Sequence, residues 1–338
     1  MQFNKNRMIL QERIELMVKA GEYLKNDNEE WQLIKQQAYE KNGWFTAEFV
    51  QHASIQIADN YLDKNKLEEW VAHYRIDDNI APKNIGIIMA GNIPMVGFHD
   101  MLAVFISGHH QTIKLSSKDD VLLKHLVKYL YSLNNEIQNY ISFADMLKGC
   151  DAYITTGGSN SARTFKEYFG KYPHIVRSNR TSAGILSGKE TTSQLEAFAD
   201  DVHLYFGLGC RNVTKFFVPE NYDFVPLLKS FEPYKYFGDH HKYKNNYDYQ
   251  LSILLLNNVY YMTNESTLLT ENKNIFSPIS QIYFEYYTEE EKVIAALKNN
   301  GEIQCIVGEG FLPFGQTQCP GLFDYADGED TMAFMLGL

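Results

Sequence analysis

Between residues 84 and 169 the chain runs through one plan three times, and few folds accept it. The apolar run "NIGIIMAGNIP" ends in a glycine turn and leads into "MVGFHDMLAVFISG", a helical pattern. "HQTIKLSS" and "DDVLLKHLVKYLYSLN" follow as the next strand and helix, with Asp119 and Asp120 suited to that helix's first turn. "DAYITTGGSNSARTFKEYF" is again strand, glycine turn and helix. Such alternation predicts a parallel sheet with both faces covered, and so an α/β fold of doubly wound type. Ligands of these sheets bind beyond the carboxyl ends of the strands, where the glycine turns fall. "TTGGSNSAR" offers backbone N–H groups and a helix N-terminus to an anion such as a pyrophosphate; a glycine pair there also serves as a plain tight turn.

The flanking regions read differently. Up to about Tyr74 the chain is helical and rich in Glu, Lys and Gln. From "TSAGILSGKE" onward we expect a second domain, with "TTSQLEAFADDVHLYF" as a helix and "VTKFFVP", "LSILLLNNVYYMT", "QIYFEYY" and "EIQCIVG" as strands. "DHHKYKNNYDYQ" reads as a tyrosine-rich loop, and the last stretch is full of turn formers. The expected division is 1–182 for the N-terminal helices and a dinucleotide-binding domain, 183–312 for a catalytic domain, and 313–338 for a tail that packs or oligomerises.

A net charge of −11 without any basic tract argues against a nucleic-acid partner, since phosphate backbones need clustered positive charge. The apolar runs fall short of the roughly 20 residues that span a bilayer, and the charged start does not read as a signal peptide, so the expected location is cytoplasmic. Four cysteines, Cys150, Cys210, Cys305 and Cys319, are widely spaced, which favours neither a disulfide framework nor a structural zinc site.

Each of these thiols has a bland reading as a small buried hydrophobe. Cys305 in "IQCIV" and Cys150 fit it well. Cys319 in "TQCPG" lies in an expected loop and is a rival nucleophile. Cys210, in "YFGLGCRNVTKFFVP", stands in a glycine-lined corner between helix and strand, with Arg211 beside it to favour the thiolate. His174, His203 and His240 are each candidates for a partnering base, and the pattern selects none. No metal-binding spacing and no GxSxG elbow occurs.

Three stretches taken together, "GNIP…DMLAVFISGHHQTIKLSS", "ITTGGSNSAR" and "GLGCRNVTKFFVP", resemble the aldehyde dehydrogenase superfamily in order and spacing. More closely, "SNRTSAGILSGKE", the "GCRN" cysteine environment and the closing "FGQTQCPGLFDYADGEDTM" resemble the LuxC-like acyl-CoA reductases. The resemblance runs from about Asn84 to the end. It implies an aldehyde dehydrogenase-like fold: two Rossmann-like doubly wound α/β domains with a helical N-terminal segment.

The resemblance also implies roles. Cys210 matches the cysteine that becomes acylated, and Asn92 the asparagine whose amide helps form the oxyanion hole. Lys114 matches the lysine that contacts the adenosine ribose, with Ser116 close behind; Gly157, Gly158 and Ser159 match the turn that faces the cofactor phosphates. Phe276, in "NIFSPI", is expected near the nicotinamide, although Asn274 stands where the superfamily carries a ribose-binding glutamate. The glutamate that activates water in hydrolytic members is missing too: "VRSNRTSAG" puts Arg177 or Ser178 there. The expected reaction is therefore reduction of a long-chain acyl-CoA to the fatty aldehyde, with NADPH ahead of NADH as cofactor. A homodimer or homotetramer is expected, and the family leaves room for an acyl-synthetase or acyl-transferase partner. The competing classes are a cysteine-dependent acyltransferase or thioesterase and a non-catalytic nucleotide-binding subunit.

Overall fold

The computed structural model describes residues 7–26 and 28–338, apart from the side chains of 159–161. Its internal contacts define two units, Met1–Asn179 with Pro320–Leu338, and Arg180–Cys319.

The first unit begins with four helices, α1 (Leu10–Lys25), α2 (Glu29–Lys41), α3 (Ala47–Asn60) and α4 (Lys64–Tyr74). Asn28, Thr46 and Asp63 start the last three, each side chain accepting a backbone N–H of the first turn. Their apolar faces bury Trp31, Phe49 and Trp70. The sheet follows: β1 (Asn84–Ile88), α5 (Phe98–Ser107), β2 (His110–Lys114), α6 (Val121–Leu133), α7 (Ile137–Tyr140), β3 (Ile141–Phe143), β4 (Ala152–Thr156), α8 (Ser159–Phe169) and β5 (His174–Arg177). All neighbours are parallel, in the order β3-β2-β1-β4-β5. The order winds outward both ways from β1, as in doubly wound sheets. The register sets Lys114, Ile88, Thr155 and Val176 in one row near the carboxyl ends.

Helix α5 is apolar nearly all round, as befits a helix buried on every side. The fully buried Arg13 of α1 reaches its C-terminal end, donating to the Ile106 carbonyl at 3.1 Å and to Met8 O at 2.7 Å while pairing with Asp78. Asp119 departs from expectation. It does not serve the first turn of α6; its carboxylate is buried and accepts the Met95 N–H. Asp120 is half-buried and paired with Lys41 and Lys124.

The second unit contains β6 (Thr181–Ile185), α9 (Thr192–His203), β7 (Val213–Pro219), α10 (Phe224–Ser230), α11 (His241–Leu256), β8 (Met262–Thr263), β9 (Leu268–Glu271), β10 (Gln281–Tyr287), α12 (Glu290–Lys298) and β11 (Ile303–Val307). Its sheet has the order β11-β6-β7-β10-β9-β8, parallel except for the short antiparallel pair β8–β9. Ala183, Ile185, Leu297 and Ile303 form one of its core clusters.

One expected strand and one expected loop prove to be a single helix. From His241 onward, "DHHKYKNNYDYQ" runs on through "LSILLL" as α11, and only Met262 and Thr263 of the apolar run pair as a strand. His240 caps the helix by accepting the Tyr243 N–H, and Tyr243, Tyr247 and Leu254 lie on its buried side. A short continuous apolar run has no periodicity of its own, so the cap and the tyrosines one turn apart decide the outcome.

From Pro320 the chain packs back into the first unit and ends in α13 (Thr331–Leu336) against α5. Trp70 donates its indole N–H to the Tyr325 hydroxyl at 2.9 Å, and Tyr74 donates to Asp330 at 2.6 Å. His109 accepts the Lys83 N–H at Nδ1, which leaves Nε2–H to donate to the Met335 carbonyl at 2.9 Å. Among the described residues, no helix is long and apolar enough to cross a membrane.

Candidate active site: a cysteine turn and a cleft at the strand ends

Cys210 sits just before the amino end of β7, in a turn that follows a segment of unusual backbone conformation. After α9 the chain takes three consecutive left-handed residues, Tyr205 (φ 55°), Phe206 (φ 57°) and Gly207 (φ 73°). For the two aromatic residues this costs about 1–2 kcal/mol each. Their rings are nonetheless buried, with Phe206 against Phe237 and His240 at ring distances of 4.4 and 4.5 Å.

The fully buried Asn212 closes the turn. Its Oδ1 accepts the Gly209 N–H at 2.8 Å, and its Nδ2 donates to the carbonyls of Leu204 (2.8 Å), Asp201 (3.2 Å) and Val202 (3.3 Å). One amide thus satisfies carbonyls that the end of α9 leaves over. Cys210 is half-buried, and its carbonyl accepts from the Ser182 hydroxyl at 3.2 Å. Ser182 also meets the Cys305 sulfur at 2.9 Å, so Cys305 stands one hydroxyl away from the Cys210 backbone rather than in apolar filler. Sequence reasoning passed over Asn212; an Asn two residues after a Gly-Cys corner was the available signal.

Each of the other thiols has an observed setting. Cys150 is buried against Gly86 and Tyr153, and burial pushes its thiol up. Burial also raises the Cys319 thiol, and nearby Asp201 raises it further against the opposing pull of Arg211. Arg211 itself donates to Thr317 O at 3.5 Å. Asp201 is 1% exposed and accepts the N–H groups of Gly315 and Thr317, which fastens the segment after β11 to α9; burial lifts its carboxyl to about 6.

The candidate bases separate as well. His203 is fully buried, contacts Ala199 O and the Thr267 hydroxyl, and stacks on Tyr234; burial drops its pKa to about 4. It is a neutral core histidine. His240 accepts the Tyr243 N–H through Nδ1, and His174 contacts Tyr172 O in the first unit. In the stretch that carries no hydrolytic glutamate, Arg177 is buried, paired with Asp100 and donating to the Thr331 hydroxyl at 2.8 Å.

In the first unit, a cleft of 730 Å³ opens at the carboxyl ends of β1, β2 and β3. Ile88, Lys114, Ser116, Phe143 and Phe165 line it, which brings Lys114 and Ser116 together. The Ser116 hydroxyl accepts the Lys118 N–H. Gly157 and Gly158 lie on the turn after β4, the strand beside β1, and do not line that cleft. Gly158 (φ −64°) has ordinary backbone, and among the described residues a Cβ there would meet nothing nearer than 3.9 Å. Ser159 opens α8, and its side chain lies outside the described residues.

Asn92 occupies the bend after β1 and is half-buried. Phe276 is an exposed ring between β9 and β10, and the neighbouring Ile275 carbonyl is tied to Thr214 of β7 at 2.8 Å. Asn274 is exposed. Among the described residues, no group of three or more His, Cys, Asp or Glu could hold a metal ion.

No protein-family model matches the sequence, and neither does any curated protein. Solved structures do match. Aldehyde dehydrogenase 21 from Physcomitrella patens, in complex with succinate, superposes with a TM-score of 0.67 over 90% of this chain and 74% of its own, at 13% identity. Succinic semialdehyde dehydrogenase from Streptococcus pyogenes, with NADP+ as the cofactor, gives 0.64 over 88% and 76%, at 15% identity. An NAD-dependent aldehyde dehydrogenase from Sinorhizobium meliloti gives 0.66 over 89% and 70%, at 13% identity. The chain has the aldehyde dehydrogenase-like fold.

Proposed function

We propose that the protein reduces a fatty acyl-CoA to the corresponding aldehyde through a thioester on Cys210, with NADPH as the reductant and NADH as an alternative. The observation that carries this reading is the Cys210 turn: a half-buried thiol just before a strand, following the left-handed 205–207 segment, with Asn212 hydrogen-bonded on both sides of that segment. Strain of this kind is a reason to look for function.

In the proposed reaction the Cys210 thiolate attacks the acyl-CoA carbonyl. The Asn92 amide and a backbone N–H, that of Cys210 itself, donate to the oxyanion. The carbon–sulfur bond to CoA breaks, CoA leaves as its thiolate, and the acyl group stays on Cys210. A bound nicotinamide would supply the hydride that takes this thioester to the aldehyde level, after which the Cys210 thiolate is released. Lys114 would hold the adenosine ribose, with Ser116 beside it. Gly157, Gly158 and Ser159 would face the phosphates at the start of α8, and Phe276 the nicotinamide. The 730 Å³ cleft fits an extended ligand, and the open space at Gly158 suits close approach to a backbone.

Acyl exchange is preferred over hydrolysis because residues 176–179, "VRSN", contain no carboxylate to activate water. The engagement of Arg177 with Asp100 and Thr331 supports a structural role for it. The solved aldehyde dehydrogenases with NADP+ or in NAD-dependent form support a nicotinamide cofactor through fold likeness. A homo-oligomer remains part of the proposal, as does an acyl-synthetase or acyl-transferase partner.

The test mixes protein, palmitoyl-CoA and NADPH, and follows the reduced nicotinamide absorbance together with free CoA. Loss of NADPH with aldehyde formed supports the reductase. CoA release without nicotinamide oxidation, across chain lengths, would move the reading to acyl transfer or thioester hydrolysis.

A further inference from the structure

The bend that carries Asn92 is held at one end by a buried carboxyl group and packs at the other end against the turn that bears it. Asp119, 4% exposed, accepts the Met95 N–H through Oδ2 at 2.7 Å. Met95 has a left-handed backbone (φ 54°), which a side chain rarely adopts without outside support. At the other end, Gly91 lies so close that a Cβ on it would come within 2.6 Å of Ser116 Oγ and 3.2 Å of Asp119 Cβ. Asn92 falls between these two anchors. Among the described residues the second carboxyl oxygen, Oδ1, is buried without a hydrogen-bond partner. A carboxyl group with one oxygen unsatisfied is a costly way to fill interior space, so packing alone does not account for it.

We propose that Asp119 is a positioning residue for the reaction: it fixes the 91–95 bend so that the Asn92 amide is already oriented for a developing oxyanion. The inference rests on the oxyanion role proposed for Asn92. An amide oriented in advance acts on the transition state more than on the bound substrate. Loss of Asp119 therefore lowers kcat and leaves KM nearly alone. Asn at this position keeps one carbonyl oxygen for the Met95 N–H; Ala keeps none.

The experiment compares Asp119→Ala, Asp119→Asn, Asn92→Ala and the double variant Asn92→Ala/Asp119→Ala in the full chain, with palmitoyl-CoA and NADPH. Hydrogen exchange at the Met95 amide is measured on the same proteins. Asp119→Ala should lower kcat by about tenfold or more with KM within about twofold, and Asp119→Asn should recover most of the loss. In the Asn92→Ala background, Asp119→Ala should change kcat by less than about twofold, because the group it positions is gone. Met95 exchange should accelerate in Asp119→Ala and stay slow in Asp119→Asn. An equal loss of kcat with and without Asn92 would overturn the proposal, as would unchanged Met95 exchange. If Asn92→Ala alone leaves kcat intact, the oxyanion role fails and the positioning role with it. Accelerated exchange would then show that Asp119 anchors the bend for stability only, which separates the two failures.

Discussion

Asn212→Ala removes the side chain that closes the cysteine turn, and the structure sets the size of the effect. Four hydrogen bonds disappear, two of them at 2.8 Å, and the buried Gly209 N–H and the carbonyls of residues 201, 202 and 204 lose a partner. Leaving a buried polar group unsatisfied costs about 1–3 kcal/mol. The three carbonyls share one NH2, so they count for less than three full bonds. A total of about 3–5 kcal/mol is expected. Meanwhile the left-handed Tyr205 and Phe206 still oppose folding by about 1–2 kcal/mol each. At 2–4 °C per kcal/mol, the melting midpoint should fall by roughly 10 °C. Below that midpoint, the Cys210 peptide should be alkylated by iodoacetamide at a clearly different rate from wild type, because the backbone on either side of the sulfur is released. Asn212→Asp should do at least as much harm, since it keeps the acceptor but turns a carboxylate toward three carbonyls. A midpoint within about 1 °C of wild type together with an unchanged Cys210 labelling rate would refute this account of the turn.

Other expectations follow from the same contacts. On the oxyanion role proposed for Asn92, Asn92→Ala should cut turnover by roughly two to three orders of magnitude, the loss expected for a donor worth about 3–4 kcal/mol, read from kcat in the coupled assay. Arg177→Met should destabilise the first unit by about 3–5 kcal/mol in urea unfolding, because it leaves Asp100 buried without its cation. Burial raises Asp119 to about 7 and Asp201 to about 6, above their ordinary value of 3.8, so the folded chain binds these protons more tightly than the unfolded chain. Their contribution is therefore full below pH 4 and is lost as pH rises through 6–7. The Asp119 share is at most about 4 kcal/mol, and comparing Asp119→Asn with wild type between pH 4.5 and 7.5 should show the variant gaining relative stability as pH rises.

The alternation of apolar runs, glycine turns and amphipathic helices over residues 84–169 made the α/β class legible, because few chains bury strands on both faces and still place a turn after each. Where the pattern had no period, it misled. "LSILLL" reads equally as a strand or as the end of a helix, and tertiary packing of Tyr243 and Tyr247 settled it as α11. Long-range polar contacts left no local trace. Nothing near Arg13 announces that it reaches the Ile106 carbonyl, and nothing near Asp119 announces Met95. The return of residues 320–338 to the first unit depends on contacts such as Trp70–Tyr325 and Arg177–Thr331, between residues far apart in sequence. At the cysteine, the glycine-lined corner was visible, but the left-handed Tyr205 and Phe206 were not, since aromatic residues rarely adopt that conformation. The bland reading of Cys305 missed its hydroxyl partner, Ser182, because a neighbour across the sheet is invisible to a strand's own pattern.

The central claim is that the Cys210 sulfur carries the acyl group, and peptide-resolved mass spectrometry of the intact chain after brief exposure to palmitoyl-CoA tests it most directly. The account predicts one palmitoyl adduct, on the peptide containing Cys210, absent in Cys210→Ala and discharged when NADPH is added. An adduct on Cys319 instead, or one that persists in Cys210→Ala, would contradict it.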